Sequence, residues 1–281
     1  MITSIHTIDS GLFKLDGGAM FGVVPKSMWH KLNPPDENNM CTWALRCLLI
    51  QTDTQNILID TGMGDKQDEK FRSHFYPHGD GNLLKSLKAK GLEPEHITDV
   101  ILTHLHFDHC GGAVTKSIDG KLIPTFPKAK YWTNQSHWDW AINPNERERN
   151  SFLKENFVPL LDHGVLRYID DQSEVANFSD QIRLHFCNGH TKALMVVEFD
   201  FNNQNYIYPA DLFPSSFHIP IPYVMAYDVE PLKTLSEKKK ILNLAMDKNS
   251  IMIFEHDPQH IACNFKLNES GRISINNYHS F

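Results

Sequence analysis

The stretch "THLHFDHCGG", Thr103 to Gly112, places three histidines and one aspartate within six residues. It follows the apolar run "DVIL", which predicts a short buried strand. Residues two apart on a strand face the same way, so His104 and His106 are expected to converge where the chain leaves the sheet. Asp108 and His109 follow in the turn, where a second convergence point can form. The stretch therefore predicts a polar site at the end of a strand.

The donor types in this stretch are those that zinc and related first-row metals prefer. The alternative is a set of hydrogen-bonded core or loop residues. Burying several such groups side by side without a cation costs several kcal/mol, however, which favours a metal site. Gly111 and Gly112 fit a tight turn that lets the backbone approach a metal or a substrate closely.

Composition limits the classes of protein that remain. The chain has 281 residues, of which 41% are hydrophobic and 22% charged, as in an ordinary globular protein. Its net charge of -7 disfavours a nucleic-acid partner. No window has the roughly 18 apolar residues of a membrane span, and the opening residues lack a signal-peptide pattern, so a cytoplasmic location without a membrane partner is expected. Five scattered cysteines argue against disulfides or a thiolate zinc site.

The order of the predicted elements indicates the fold class. Strand-like runs open the chain, among them "GLFKL", "AMFGVV" and "CTWALRCLLIQT", with turn residues between them. Helices are predicted over 135–140, 146–157 and 231–246, with further strands between them and after them. This order predicts an α/β fold of two mixed sheets packed face to face with helices outside. The chain shows no repeat and no linker, so a single domain over residues 1–281 is expected.

The motif itself resembles a known family. "HLHFDH" matches the H-x-H-x-D-H pattern of the metallo-β-lactamase superfamily, whose fold is an αβ/βα four-layer sandwich with a two-metal site. "NGHT", "YPADL" and "FEHD" follow in the same order as in that family and offer His190, Asp211 and His256. Each of the three lies at the end of a predicted strand, where ligands carried by loops are expected.

The resemblance implies a ligand set for two divalent ions, with zinc expected although manganese, cobalt or iron accept the same donors. The first ion is assigned to His104, His106 and His190, the second to Asp108, His109 and His256, and Asp211 bridges both. Asp60 in "LIDTG" matches a family position where an outer carboxylate orients a ligand histidine. The alternative for Asp60 is a plain turn residue at a strand end.

A two-metal site lowers the pKa of a shared water, which implies a hydrolase in which a metal-bridging hydroxide attacks an ester-like carbonyl. Asp108 and Asp211 are the expected catalytic carboxylates, which pass a proton to the leaving group. Asp211 stands where common zinc β-lactamases use cysteine, so a β-lactam substrate is disfavoured. The chain is most similar to the N-acyl-homoserine lactonases, which open the lactone ring of quorum-sensing signals. This similarity implies an acyl lactone substrate and a homodimer.

Two other functions stay open at this point. The same site could act on phosphotriesters, phosphodiesters or aryl esters, and a metal-dependent binding protein is a third reading. The residues expected to form an adaptable acyl pocket are Met20, Phe21, Met28, Trp29, Phe213, Phe217 and Tyr223. Each of them could instead fill the core. Several lactonases carry a carbonyl-positioning tyrosine three residues after the bridging aspartate, where this chain has Pro214, and Tyr223 or Tyr227 could replace it.

Overall fold

A computed structural model describes residues 1–281, and its backbone contacts divide the chain into two units. Unit 1 comprises Met1–Leu12 and Leu45–Ala176, and unit 2 comprises Phe13–Ala44 and Asn177–Phe281. Both units combine strands and helices. The expectation of a single domain over residues 1–281 stays a prediction.

Helices are interspersed among runs of consecutive strands along the chain. The strands are β1 (Ile2–Asp16), β2 (Met40–Thr52), β3 (Asn56–Ile59), β4 (Asp99–Ile101), β5 (Val114–Lys116), β6 (Leu122–Pro124), β7 (Lys130–Asn134), β8 (Leu166–Ile169), β9 (Val175–Asn177), β10 (Ile182–Cys187), β11 (Leu194–Phe201), β12 (Gln204–Tyr208), β13 (Ile251–Ile253), β14 (Ala262–Leu267) and β15 (Ile273–His279). The α-helices are α1 (Gly17–Phe21), α2 (Lys26–Trp29), α3 (Glu69–Phe75), α4 (Leu83–Ala89), α5 (Phe107–Cys110), α6 (Gln135–Ile142), α7 (Val158–Asp162) and α8 (Pro231–Asp247). Short 3₁₀ turns cover Pro94–His96, Gly111–Ala113, Lys154–Asn156, Ala210–Leu212 and Ser216–His218.

The first sheet is six-stranded and has the order β1-β2-β3-β4-β7-β8. Strand β3 runs antiparallel to β2, whereas β3, β4, β7 and β8 are parallel, so the sheet is mixed. Leu58 and Val100 on this sheet belong to one buried cluster with Leu87 of α4, Trp138 of α6 and Leu160 of α7. The parallel strands thus end at one edge of a sheet whose core is closed by helices of unit 1.

The second sheet is seven-stranded and has the order β15-β14-β13-β12-β11-β10-β9. Strands β12 and β13 are parallel, and the other described pairings are antiparallel. Helix α8 packs on β14 and buries Thr234, Lys238, Ile241, Leu242 and Ala245, a three-and-four spacing that forms one helical face. Every helix of the chain falls short of the length and apolar character that a bilayer crossing requires.

Two local predictions were wrong. The "AMFGVV" segment is not a strand, because β1 continues to Asp16, whose carboxylate then accepts a hydrogen bond from Ala19 N and starts α1. The helix expected over 146–157 is also absent apart from a 3₁₀ turn. Asn145 Oδ1 there accepts from the backbone N of both Arg147 and Glu148, which favours a turn over a helix.

Candidate metal centre

The ligand-rich turn of unit 1 begins directly after β4 and contains the single-turn helix α5. The ring centroid of His104 lies 4.6 Å from that of His106 and 3.9 Å from that of His109. Asp108 Oδ2 lies 3.9 Å from His109 Nε2. All four side chains are buried. Unit 1 therefore brings together its four predicted ligands.

Close backbone contacts hold this turn against the segment after β3. Thr61 N donates to His109 O at 2.7 Å. A Cβ at Gly111 would lie 2.0 Å from Met63 O, and one at Gly112 would lie 2.2 Å from Thr61 O. Because both contacts are to backbone atoms, only glycine fits at either position, which explains the glycine pair of the opening stretch.

Asp60 lies fully buried at the end of β3, with a left-handed φ of 58°. Its Oδ1 accepts from Thr103 N at 2.8 Å, and its Oδ2 accepts from Thr103 Oγ1 at 2.6 Å. His109 Nδ1 lies 3.2 Å from the same Oδ2. These contacts would let Asp60 orient the ring of His109 toward an ion, and that role of Asp60 stays a prediction.

These contacts fix which ring nitrogen carries the hydrogen. A carboxylate only accepts, so His109 Nδ1 donates to Asp60 and its lone pair lies on Nε2. The Thr103 hydroxyl hydrogen is used on Asp60, so Thr103 Oγ1 accepts from His104 Nδ1 at 3.2 Å. The lone pair of His104 therefore lies on Nε2 as well.

Glu148 is the carboxylate beside His106, with Oε1 3.5 Å from His106 Nε2. It is buried, and its Oε2 accepts from Trp140 Nε1 at 2.7 Å and from Asn145 Nδ2 at 2.5 Å. These bonds hold the carboxylate against the imidazole. Sequence reasoning missed Glu148, because in the charged run "NPNERERN" nothing distinguishes it from a solvated residue.

Unit 2 gathers the three remaining predicted ligands, each just beyond a strand of the second sheet. His190 follows β10, Asp211 lies in the 3₁₀ turn after β12, and His256 follows β13. Asp211 Oδ2 lies 3.3 Å from His190 Nε2, and Asp211 Oδ1 lies 3.1 Å from His256 Nε2. All three are buried, so one carboxylate contacts two imidazoles.

The Nδ1 atoms of both histidines contact acceptors. His190 Nδ1 lies 2.9 Å from Asp228 Oδ1, whose other oxygen accepts from Thr234 Oγ1 at 2.7 Å. His256 Nδ1 lies 2.8 Å from Ala44 O. Both Nδ1 atoms therefore donate, and both lone pairs lie on Nε2. Sequence reasoning also missed Asp228, which precedes a proline-started helix and resembles an ordinary capping residue.

The loop that carries His190 is held by α8. The Glu237 carboxylate accepts from Asn188 N at 2.7 Å and from Gly189 N at 2.9 Å. Burial raises the pKa of Glu237. A Cβ at Gly189 would lie 2.4 Å from Thr234 N, so the loop and the helix backbone touch at a position that requires glycine.

The donor set fits metal ions. His190 Nε2 and His256 Nε2 each lie 3.1–3.3 Å from an Asp211 oxygen. If the rings are neutral, each contact brings two hydrogen-bond acceptors face to face. Such a pair is stabilised only by a positive charge, which a second ring proton or a metal ion supplies. The seven predicted ligands all belong to groups of histidine and carboxylate side chains that could hold an ion. Nitrogen and oxygen donors of this kind suit divalent first-row metals, zinc among them.

The residues predicted to contact substrate are placed differently from one another. Phe21 is fully buried and stacks on Trp29 and on His218, with ring centroids 5.2 and 5.1 Å away, and Tyr223 meets it edge-on. Phe217 lies edge-on to Trp43. Burial lowers the pKa of His218 to about 3, so that ring is neutral in the aromatic cluster.

The other three candidates lie outside that ring cluster. Met20 is buried and its carbonyl contacts His218 Nε2 at 2.9 Å. Met28 is 53% exposed, and Phe213 is fully buried beneath Lys238 Nζ, 5.1 Å from its ring centroid. Substrate contact by any of the seven stays a prediction.

The fold and these ligand clusters agree with the family comparison. The model of the metallo-beta-lactamase superfamily matches residues 46–256, and the chain belongs to that superfamily. It is therefore a metallo-hydrolase of the α/β class with mixed sheets and helices, which confirms the family and fold class predicted from the motif.

Individual relatives refine the comparison. The N-acyl homoserine lactonase of Bacillus cereus is 25% identical over 239 residues, which cover 80% of this chain and 85% of the relative. A probable metal-dependent hydrolase from Staphylococcus aureus, known from its crystal structure, superposes with a TM-score of 0.88 at 28% identity and covers 98% of this chain and 95% of that one. AidC, a dizinc quorum-quenching lactonase bound to a product, has a TM-score of 0.78 at 22% identity and covers 100% and 97%. At that identity the likeness to AidC shows the fold alone.

Proposed function

We propose that this metallo-hydrolase opens the lactone ring of N-acyl homoserine lactones with two divalent ions, zinc by expectation. Its proposed ligands are His104, His106, Asp108, His109, His190, Asp211 and His256. The strongest support for the substrate is the match to a lactonase over 80% of the chain. The support for the metals is the hydrogen bonding of His104, His109, His190 and His256, which puts every lone pair on Nε2.

When bound, the two ions supply a water of lowered pKa and polarise the carbonyl oxygen. The residues of the chain do the rest. Asp60, Asp228 and the Ala44 carbonyl hold the histidine rings in one tautomer and orientation. Asp108 and Asp211 are buried carboxylates, and one of them would carry to the ring oxygen, as it leaves, the proton that the attacking hydroxide gives up after addition.

The test compares substrates and metal states on one preparation. We expect the metal-loaded chain to open N-hexanoyl-homoserine lactone and to lose that activity on chelation, with recovery when zinc is restored. Asp211→Ala should remove the activity together with at least one ion per chain. Turnover of a chromogenic phosphotriester or aryl ester without turnover of any lactone would reject the lactone substrate and favour the alternative substrate class. Full activity in the metal-free chain would reject the metal chemistry.

A homodimer and a cytoplasmic location complete the proposal. Light scattering of the purified chain measures the first, and fractionation of expressing cells measures the second. A monomer that turns over lactone at full rate would reject the dimer without affecting the chemistry.

A further inference from the structure

A large apolar cavity lies within unit 2. Its volume of about 930 Å³ is at the upper end of the range for small-molecule pockets. Buried Phe217, Ile219 and Leu242 line it from the 3₁₀ turn, the loop after it and α8, and the strand β15 adds Ile273 and Ile275. Such a lining favours a flexible hydrocarbon chain over a polar ligand.

The charge in this cavity has one sign. Lys239 of α8 and Arg272 before β15 line it, and no aspartate or glutamate does. Neither cationic side chain makes a hydrogen bond or an ion pair within the chain. The neighbouring Lys238, in contrast, is buried and donates to the carbonyls of Pro220, Ile221 and Tyr223 at 3.0, 3.3 and 2.7 Å. Lys239 and Arg272 are both exposed at the mouth of the cavity, where their side chains can turn toward a bound anion.

We infer that this cavity binds an amphipathic carboxylate, with its acyl chain against the apolar walls and its carboxylate at Lys239 and Arg272. Arginine and lysine both bind carboxylates through charge-assisted hydrogen bonds. Two sources share this chemistry: a free fatty acid, and an N-acyl homoserine, which is the product of the proposed lactonase reaction. Only the second source rests on the proposed function.

The experiment titrates decanoate and, separately, N-decanoyl-homoserine into the metal-loaded chain by calorimetry. A charge-reversed variant, Lys239→Glu combined with Arg272→Glu, should weaken binding at least tenfold. Lys240→Glu, one residue along α8 and outside the cavity lining, is the matched control and should bind as the wild type does. Octanoate should bind more weakly than decanoate by about fourfold for each methylene lost.

A carboxylate could also bind at the metal ligands, and Asp211→Ala separates the two sites. Decanoate binding that persists in Asp211→Ala and is lost in the charge-reversed variant supports the cavity even if no lactone is turned over. Binding that is lost in Asp211→Ala and unchanged in the charge-reversed variant would overturn it, as would no heat with either ligand at saturating concentration. If only decanoate binds, the source is a free fatty acid; if only N-decanoyl-homoserine binds, the source is the product.

Discussion

Asp60→Asn is the most informative single change, because it keeps the shape of a buried side chain while removing its charge and altering its hydrogen bonding. Asparagine tolerates the left-handed φ of 58° at this position, so the backbone has no reason to move. The new amide nitrogen must take the place of Oδ1 or Oδ2. At Oδ1 it would face Thr103 N, a buried donor that would lose its acceptor at about 1–3 kcal/mol.

At Oδ2 the amide nitrogen avoids that loss but reverses the direction of the hydrogen bonds to Thr103 and His109. It would donate to Thr103 Oγ1, which would then donate to His104 Nδ1, and it would require His109 Nδ1 to accept. Both imidazoles would carry their hydrogen on Nε2, the atom proposed to bind metal. Loss of such an orienting partner weakens metal affinity about 10- to 100-fold, or about 1.4–2.8 kcal/mol for each ion.

Zinc titration against a competing chelator measures this effect, and circular dichroism checks that the variant is folded. Asp99→Asn is the matched control, because Asp99 is also buried in unit 1 but accepts from Gln55 and Trp132 instead of a ligand histidine. The control should lose stability without losing zinc affinity. Wild-type affinity for both ions in folded Asp60→Asn would refute the assignment of the ring hydrogens.

Three further outcomes are expected. Burial lowers the pKa of Lys238 to about 7, whereas a lysine of the unfolded chain titrates at about 10.4, so the unfolded state binds more protons at and above pH 7. The free energy of unfolding should therefore rise with pH, with a slope of about 0.7 kcal/mol per pH unit at pH 7 that grows to about 1.3 at pH 8.5, and denaturant titrations of Lys238→Met should lack this slope. Gly189→Ala should cost about 3 kcal/mol because its Cβ would meet the backbone of Thr234, whereas Gly120→Ala, whose Cβ meets nothing, should cost about 1 kcal/mol from its positive φ; equal melting temperatures would contradict this. Chelation should lower the melting temperature by about 5–10 °C, since ions at 100 times their Kd stabilise by about 2.7 kcal/mol, and an unchanged melt would count against bound metal.

The elements that carry the predicted ligands follow from local patterns in the sequence. The apolar run before His104 predicts β4, and the helix expected over 231–246 is observed as Pro231–Asp247. Two-residue periodicity puts His104 and His106 on one side of an extended segment, and their ring centroids lie 4.6 Å apart. Patterns of this kind depend on neighbours within a few residues, which is why they can be recognised without the fold.

The partners of the ligands could not be predicted, because tertiary contacts alone give them their roles. Glu148 and Asp228 are charged residues in polar segments, where a solvated side chain is the usual outcome, and both are buried against imidazoles. The strand predicted over the α1 segment was wrong for a related reason. The composition of this segment is typical of a strand, but the Asp16 carboxylate caps a helix there instead. The ring of Trp29 also packs against Gly17 and leaves no room for a Cβ at that position.

The same arrangement recurs in both units, although the acceptors differ in kind. A carboxylate, a threonine hydroxyl or a backbone carbonyl takes the Nδ1 hydrogen, and the lone pair is left on Nε2 at His104, His109, His190 and His256. These hydrogen bonds orient the rings and select their tautomer within the fold, so an ion that binds there would not have to meet that cost. Asp211 also faces two lone-pair nitrogens at 3.1–3.3 Å, so a bound cation would stabilise these contacts. Its affinity would depend on the hydrogen bonds behind the predicted ligands as much as on those ligands themselves.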